Sequence, residues 1–448
     1  MKSKHTPSLL RFIDKSPTAF QAVDSVCDRL QSEGFICLNE TDNWQLSRGK
    51  GYYLTRNQSS VIAFRIPNGK PSSFLISASH TDSPMFKIKP MFEAPAVQPY
   101  VRLNTEVYGG TILSSWLDRP LSLAGRVIVK QGDQFRSTSV CIDKDLLLIP
   151  SVAIHFNRNV NSGYAFNPAV DMVPLFAEGE NASGKLLELI ASIANCSPDE
   201  IVATELFVYN RMPATVWGGA DEFFSAPRID NLMCAFSTLE GFVSAQNDSA
   251  VTVYFSADNE ETGSATKQGA GSVFLSDVLD RICENLGLDR RAVLASSMMV
   301  SADNAHAKHP NHPELSDPNN APVVNGGIVI KTNASQKYAT DGMSLALFAE
   351  ICKRCNVPYQ FFANRSDMPG GSTLGSISNT RVPLLTVDIG MAQLAMHSAY
   401  ETAGCMDVDY LITAITEFYS SKLCVVSDGD CYLENKTKEG ADHVQTRL

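Results

Sequence analysis

Four apolar runs along this chain of 448 residues each lead to a carboxylate or an imidazole. Phe74-Leu75-Ile76-Ser77-Ala78-Ser79 ends at His80. Val251-Thr252-Val253-Tyr254-Phe255 runs into Ala257-Asp258-Asn259-Glu260-Glu261. Ser297-Met298-Met299-Val300-Ser301 leads to Asp303, and the stretch from Pro383 to Gly390 precedes the loop that carries His397. Short, β-prone apolar runs bounded in this way read as buried strands. In an open α/β sheet the binding crevice lies outside the carboxyl ends of the strands, so the four polar termini are expected to converge. Asp230, in Pro-Arg-Ile-Asp-Asn, opens an expected helix whose Leu232, Ala235, Phe236 and Leu239 face inward, which also points it toward that crevice.

Most acidic residues are solvated surface and most histidines bind no metal, so any one of these segments alone carries little weight. Together they supply what two adjacent metal ions need. Zinc takes nitrogen and oxygen ligands in roughly tetrahedral geometry, and a catalytic ion keeps one position open for water. If Asp230 is shared, His80 and Asp303 can complete one ion and Glu261 and His397 the other, with a common water between metals about 3.5 to 4 Å apart. The residues themselves leave open which ion each ligand serves. Glu260, next to a ligand but surplus to both sets, is placed to act as general base. Asp82, two residues beyond His80, can accept the second ring N–H of a ligating histidine, or it can simply form the turn before Ser83-Pro84.

Alternating helix and strand patterns occupy residues 1–92 and resume over 229–448, whereas 93–228 is rich in β-prone stretches with one helix near Lys185 to Ile193. The expected architecture is therefore α/β: a discontinuous domain with a mixed, mostly parallel sheet flanked by helices, interrupted by a mostly β insertion. The polar tail after Val426 reads as weakly ordered.

Five motifs closely resemble the aspartyl aminopeptidase family of two-zinc exopeptidases: His-Thr-Asp-Ser-Pro at 80 to 84, Arg-Ile-Asp-Asn at 228 to 231, Asp-Asn-Glu-Glu-Thr-Gly-Ser at 258 to 264, Ser-Ala-Asp-Asn-Ala-His at 301 to 306 and Gln-Leu-Ala-Met-His-Ser at 393 to 398. They follow the family's order over nearly the whole chain, as do the stretches from Ser115 to Arg126 and from Ala153 to Asn161. The resemblance implies two zinc ions per subunit on the ligands already named, Glu260 as base, and an insertion that makes a dimer-based dodecamer. It implies that His155 reaches the active site of a neighbouring subunit to steady the oxyanion, where the residue read alone would be a satisfied strand-end histidine. It also makes Lys337 the basic residue facing the first substrate side chain. The implied activity is release of N-terminal Asp or Glu from peptides. A two-zinc aminopeptidase preferring neutral residues and a catalytically inactive self-assembling scaffold are the alternatives, and the second sits poorly with six intact site residues.

Composition bounds the rest. Hydrophobic residues make up 44% and charged residues 19%, which describes a globular chain. A net charge of −11 argues against nucleic-acid and anionic-membrane partners, which reward basic patches. The start, Met-Lys-Ser-Lys-His, is basic, but the apolar stretch that follows is too short and too charged for a signal peptide, and no run approaches the ~18 apolar residues of a membrane span; a cytoplasmic protein is expected. The 11 cysteines lack a framework pattern and fit reduced thiols. Cys352 and Cys355 form a lone C-x-x-C read as packing. His306, His309 and His312 crowd one Pro-rich loop and are expected to pack or touch substrate instead of binding a third ion. Gly370 and Gly371, after Asp367, can let backbone approach a ligand closely, and Arg365 is a second candidate cation for an acidic substrate.

Overall fold

The computed structural model describes residues 2–179 and 182–434. Its spine is a nine-stranded sheet ordered Ile36–Cys37, Gly51–Arg56, Ser60–Arg65, Ala250–Ala257, Ser73–His80, Met298–Ala302, Leu385–Gly390, Ile328–Lys331 and Tyr359–Phe362. The four runs singled out in the sequence are adjacent strands at its centre, and the pairings between them are all parallel. Antiparallel pairings lie outward on both sides. The sheet is thus mixed with a parallel middle, as expected. Ser73–His80 has Ala250–Ala257 on one side and Met298–Ala302 on the other, so strand order reverses beside His80, the place where such sheets open a crevice.

Both faces of this sheet are covered, which is why its strands read as continuous apolar runs. Side chains of Ala250–Ala257 alternate: Tyr254 enters a core shared with helices Thr6–Lys15, Ala19–Ser32, Ile229–Ser244, Gly342–Arg354 and Cys405–Tyr419. Val251, Val253 and Phe255 enter the opposite core, with helix Phe274–Leu286. Helix Ile229–Ser244 buries Leu232, Ala235, Phe236 and Leu239 as its periodicity predicts, but Asp230 and Asn231 have non-helical backbone, so the regular helix begins after them. The ring of Phe236 meets that of Phe12 at 5.5 Å.

A six-stranded antiparallel sheet, ordered Gln134–Cys141, Leu121–Gln131, Ile201–Asn210, Met85–Glu93, Tyr100–Tyr108 and Leu175–Glu178, closes over its own core with helix Lys185–Ala194. The division expected at 92/93 falls inside strand Met85–Glu93, which pairs with Tyr100–Tyr108 and Ile201–Asn210. Thr215–Trp217 and Phe223–Ala226 do not join this sheet. They form a third sheet with Glu401–Gly404, Ala392–Leu394 and Ala305–His306, strands too short for sequence periodicity to register. Beyond Val426 the expected weakly ordered tail is in part a hairpin of Leu423–Ser427 with Asp430–Leu433, anchored by buried Leu433; residues 435–448 lie outside the described residues. Among the described residues no helix is long and apolar enough to cross a membrane.

Candidate metal centre

Strand ends and one tight turn deliver the side chains. His80 is the last residue of its strand, Asp303 follows Met298–Ala302, and Glu260 and Glu261 occupy a single 3-10 turn entered through Asn259 at φ 60° and left through Gly263 at φ 96°. His397, at φ 68°, tips a loop of the third sheet. Between these elements the two oxygens of Asp230 part company. Oδ1 lies 3.4 Å from His80 Nε2, and Oδ2 lies 3.6 Å from His397 Nε2. His80 Nε2 is 3.5 Å from Asp303 Oδ1, and His397 Nε2 is 3.4 Å from Glu261 Oε2. The structure therefore brings together His80, Asp230 and Asp303 as one group that could hold an ion and Asp230, Glu261 and His397 as a second, joined through Asp230; His80, Glu260 and Glu261 also converge, between the two.

These separations exceed ordinary hydrogen bonds. Two ligand atoms each about 2.0 to 2.1 Å from one tetrahedral zinc stand about 3.3 to 3.4 Å apart, close to the 3.4 to 3.6 Å observed. Asp230 Oδ1 and Glu261 Oε1 are buried without a hydrogen-bond donor. Orphaned carboxylate oxygens of this kind are costly unless a cation satisfies them. The donor set of two imidazoles and three carboxylates suits zinc.

The electrostatics follow from crowding. Burial opposes a charge on His80, but Asp230, Asp303 and Asp82 outweigh it and hold the imidazole pKa well above its ordinary value. Burial likewise opposes the charge of His397, yet Asp230 and Glu261 push it up to about 10. Burial, reinforced by Asp303, Asp82 and Asp230, raises Glu260 to about 8 against the opposing pull of His80. Asp230, though buried, is held ionised by His397 and His80.

Supporting contacts fix the ligands in place. His80 Nδ1 is 3.1 Å from the Asp82 carbonyl oxygen, so Asp82 engages this histidine first through its backbone. Its carboxylate accepts the main-chain N–H of Glu260 and of Glu261, both at 3.1 Å, and the Tyr108 hydroxyl at 2.7 Å. Asp82 thus orients the acidic turn as well as His80. The second ring nitrogen of His397 meets the Gly110 carbonyl at 2.9 Å. Lys331, fully buried, donates to the Asp303 carbonyl at 2.9 Å and stands 3.4 Å from its carboxylate, whose charge keeps the lysine protonated despite burial.

Tyr108, Gly110 and Lys331 touch this site, as does Glu401, which accepts the main-chain N–H of Asp230 and of His397, and sequence reasoning missed all of them. For Gly110 a signal existed in Gly109-Gly110: a Cβ at Gly109 would lie 3.1 Å from Glu261 Cβ, and one at Gly110 would lie 3.5 Å from His397 Nδ1. Lys331 looks like any strand lysine until its strand is seen to be buried.

The remaining expected residues fall elsewhere. Lys337 is exposed and donates to the Gly370 carbonyl at 2.7 Å, at the wall of a cavity of about 690 Å³ that Asn364, Arg365 and Met368 also line. A Cβ at Gly370 would lie 2.5 Å from Asn364 Oδ1, so the Asn364 side chain would have to move, whereas Gly371 has open space. Arg365 pairs with Asp367 at 2.8 Å. His155 is exposed on an insertion loop and takes no part in the contacts of the cluster. His309 stacks near His312 at 5.3 Å and His306 lies against Phe362; none of the three is in a metal group among the described residues. All 11 cysteines are free thiols, with Cys352 buried and Cys355 donating to the Ile351 carbonyl, in keeping with a packing role.

The family model for the aminopeptidase I zinc metalloproteases (M18) matches residues 12–419. A probable M18 family aminopeptidase 2 of Clostridium novyi (strain NT) is 44% identical over 429 residues, spanning 94% of this chain and 99% of that protein. A protein of the same description from Pseudomonas aeruginosa (strain LESB58) is 39% identical over 428 residues, with the same coverage of 94% and 99%. Among solved structures, Ape4 in its complex with Nbr1 superposes with a TM-score of 0.89 at 36% identity, over 94% of this chain and 88% of that one. The S. cerevisiae mApe1 dodecamer gives 0.83 at 26% identity, over 93% and 96%.

Proposed function

This chain belongs to the M18 family of zinc metalloaminopeptidases, and on that footing we propose that it holds two zinc ions and releases single N-terminal residues, acidic ones preferred, from peptides. The observation that carries the reading is the splitting of Asp230 between two ligand groups. His80, Asp230 and Asp303 would hold one ion and Asp230, Glu261 and His397 the other; other divalent metals that accept nitrogen and oxygen donors suit the same set. Ions bound there would polarise the scissile carbonyl and make a water acidic enough to attack near neutral pH.

The chain's own groups do the rest. Glu260 takes the proton from the attacking water and hands it to the leaving amine. A carboxylate whose surroundings raise its proton affinity suits both halves of that task, and nearby cations would draw its pKa down toward the working pH. Asp82 keeps His80 and the Glu260-Glu261 turn in register.

His155, supplied by a neighbouring subunit, donates to the developing oxyanion. Support comes from its exposure beside Val152, Ile154 and Phe156, the last 88% exposed, an apolar loop suited to burial against a second copy. The likeness to a dodecameric relative adds to it. On the same grounds the insertion, residues 93–228 in the sequence division, joins copies of the catalytic part, 1–92 and 229–448, into a dimer-based dodecamer; a cytoplasmic setting is proposed from the sequence reading of reduced thiols. Lys337 and the Gly370-Gly371 backbone receive the substrate's first side chain; in an acidic chain, an acidic substrate requires such a dedicated cation. Initial rates on a panel of aminoacyl chromogenic substrates, with and without chelator, test the proposal: chelator-sensitive turnover highest on Asp and Glu substrates is expected, and chelator-resistant turnover, or turnover highest on neutral substrates, would oppose it.

A further inference from the structure

We infer that Glu401 is a positioning residue that sets the spacing of the two metal-binding groups, by holding the main chains of Asp230 and His397 on the two oxygens of one carboxylate. Its Oε2 accepts the Asp230 N–H at 3.0 Å, and its Oε1 accepts the His397 N–H at 2.7 Å. A third donor, Gln393 Nε2, reaches Oε1 at 3.1 Å. Glu401 is 1% exposed; burial and the charge of Asp230 raise its carboxyl to about 8 against the pull of the Asp230 and His397 N–H groups, and its two oxygens are spent here on three N–H donors.

Strand geometry explains the reach. Glu401 pairs with Ala226, four residues before Asp230, and it stands four residues after His397. Both ligand loops spring from this pair of strands and both turn through left-handed residues, Arg228 at φ 59° and His397 at φ 68°, conformations that need an outside tether. Glu401 is the acceptor common to both. Through Gln393 the network continues to Asn304, next to ligand Asp303: Asn304 Nδ2 donates to Gln393 Oε1 at 2.6 Å and to the Ile229 carbonyl at 3.0 Å. A carboxylate is required because it only accepts; a glutamine would turn an NH₂ toward one of the main-chain donors.

The inference rests on the two-ion reading, and the test separates them. Chelated wild-type protein, Glu401→Gln and His397→Ala are titrated with zinc by calorimetry, His397→Ala marking which binding constant belongs to the ion on His397. Glu401→Gln is expected to weaken that ion about 10- to 100-fold, the cost typical of losing an outer partner of a ligand, and the His80 ion less. Its kcat should fall with KM held and recover in excess zinc. Unchanged constants would overturn the inference, as would equal weakening of both ions that tracks a lower melting temperature of the metal-free protein. If Glu401→Gln does not fold, Gln393→Met removes one of the three donors; a smaller, selective loss at the His397 ion is expected, and unchanged constants overturn it. A stoichiometry of one zinc per chain in wild-type protein would refute two ions independently, and the role of Glu401 would then be read on the remaining constant.

Discussion

His80 and His397, carried by different sheets and 317 positions apart by their numbers (397 − 80), face the two oxygens of the same carboxylate, that of Asp230, at 3.4 and 3.6 Å. One side chain thereby joins two candidate metal-binding groups; Lys331 stands behind Asp303 and Gly110 behind His397, while Asp82 supports both His80 and the Glu261 turn and Glu401 both His397 and Asp230.

The first prediction concerns Glu260, which belongs to neither group that contains Asp230 but lies within ligand reach of His80 and Glu261, so metal content must be read beside its activity. Glu260→Gln should keep both metals yet lose about 10² to 10⁴-fold in kcat, the contribution of general-base catalysis. Metal analysis beside steady-state rates checks this, and near-normal turnover with full metal content would remove the base from Glu260.

Metal uptake should release protons. In metal-free protein the carboxylates hold His80 well above its ordinary pKa and His397 up to about 10, so both imidazoles are protonated at neutral pH. Ligation needs them neutral. Apparent zinc affinity should therefore rise with pH from about 6 to 9, by up to about tenfold per unit for each proton released, and acid should strip the metal. Calorimetric titration in buffers of different ionisation enthalpy reads the proton count directly; buffer-independent heats would contradict the prediction.

Lys337→Met should lower kcat/KM for Asp and Glu substrates by a factor corresponding to about 1.5 to 3 kcal/mol, the value of a hydrogen bond to a charged group, and leave Ala or Leu substrates little changed. Equal losses on both classes would mean that Lys337 serves the loop it tethers at Gly370 and not the substrate.

The five candidate ligand positions, which the structure brings together, were legible because each marks a change of physical regime, a buried run or an inward-facing helix meeting a polar crevice, and periodicity detects such changes. The central parallel strands were legible for the same reason. Glu401 was not, because its meaning lies in an Asp230 contact across 171 positions. Nor was Lys331, since nothing local distinguishes a buried lysine from a solvated one. The division at 92/93 falls within strand Met85–Glu93 because the strand begins with buried residues and continues half-buried to exposed, so its apolar half reads as continuous with the catalytic sheet.

The central claim is that Asp230 is shared by two metal ions, and elemental analysis of three purified proteins tests it most directly. Wild-type protein should carry two zinc ions per chain, His80→Ala should lose chiefly one, and Asp230→Ala should hold neither tightly. Two tightly held ions in Asp230→Ala would contradict the account.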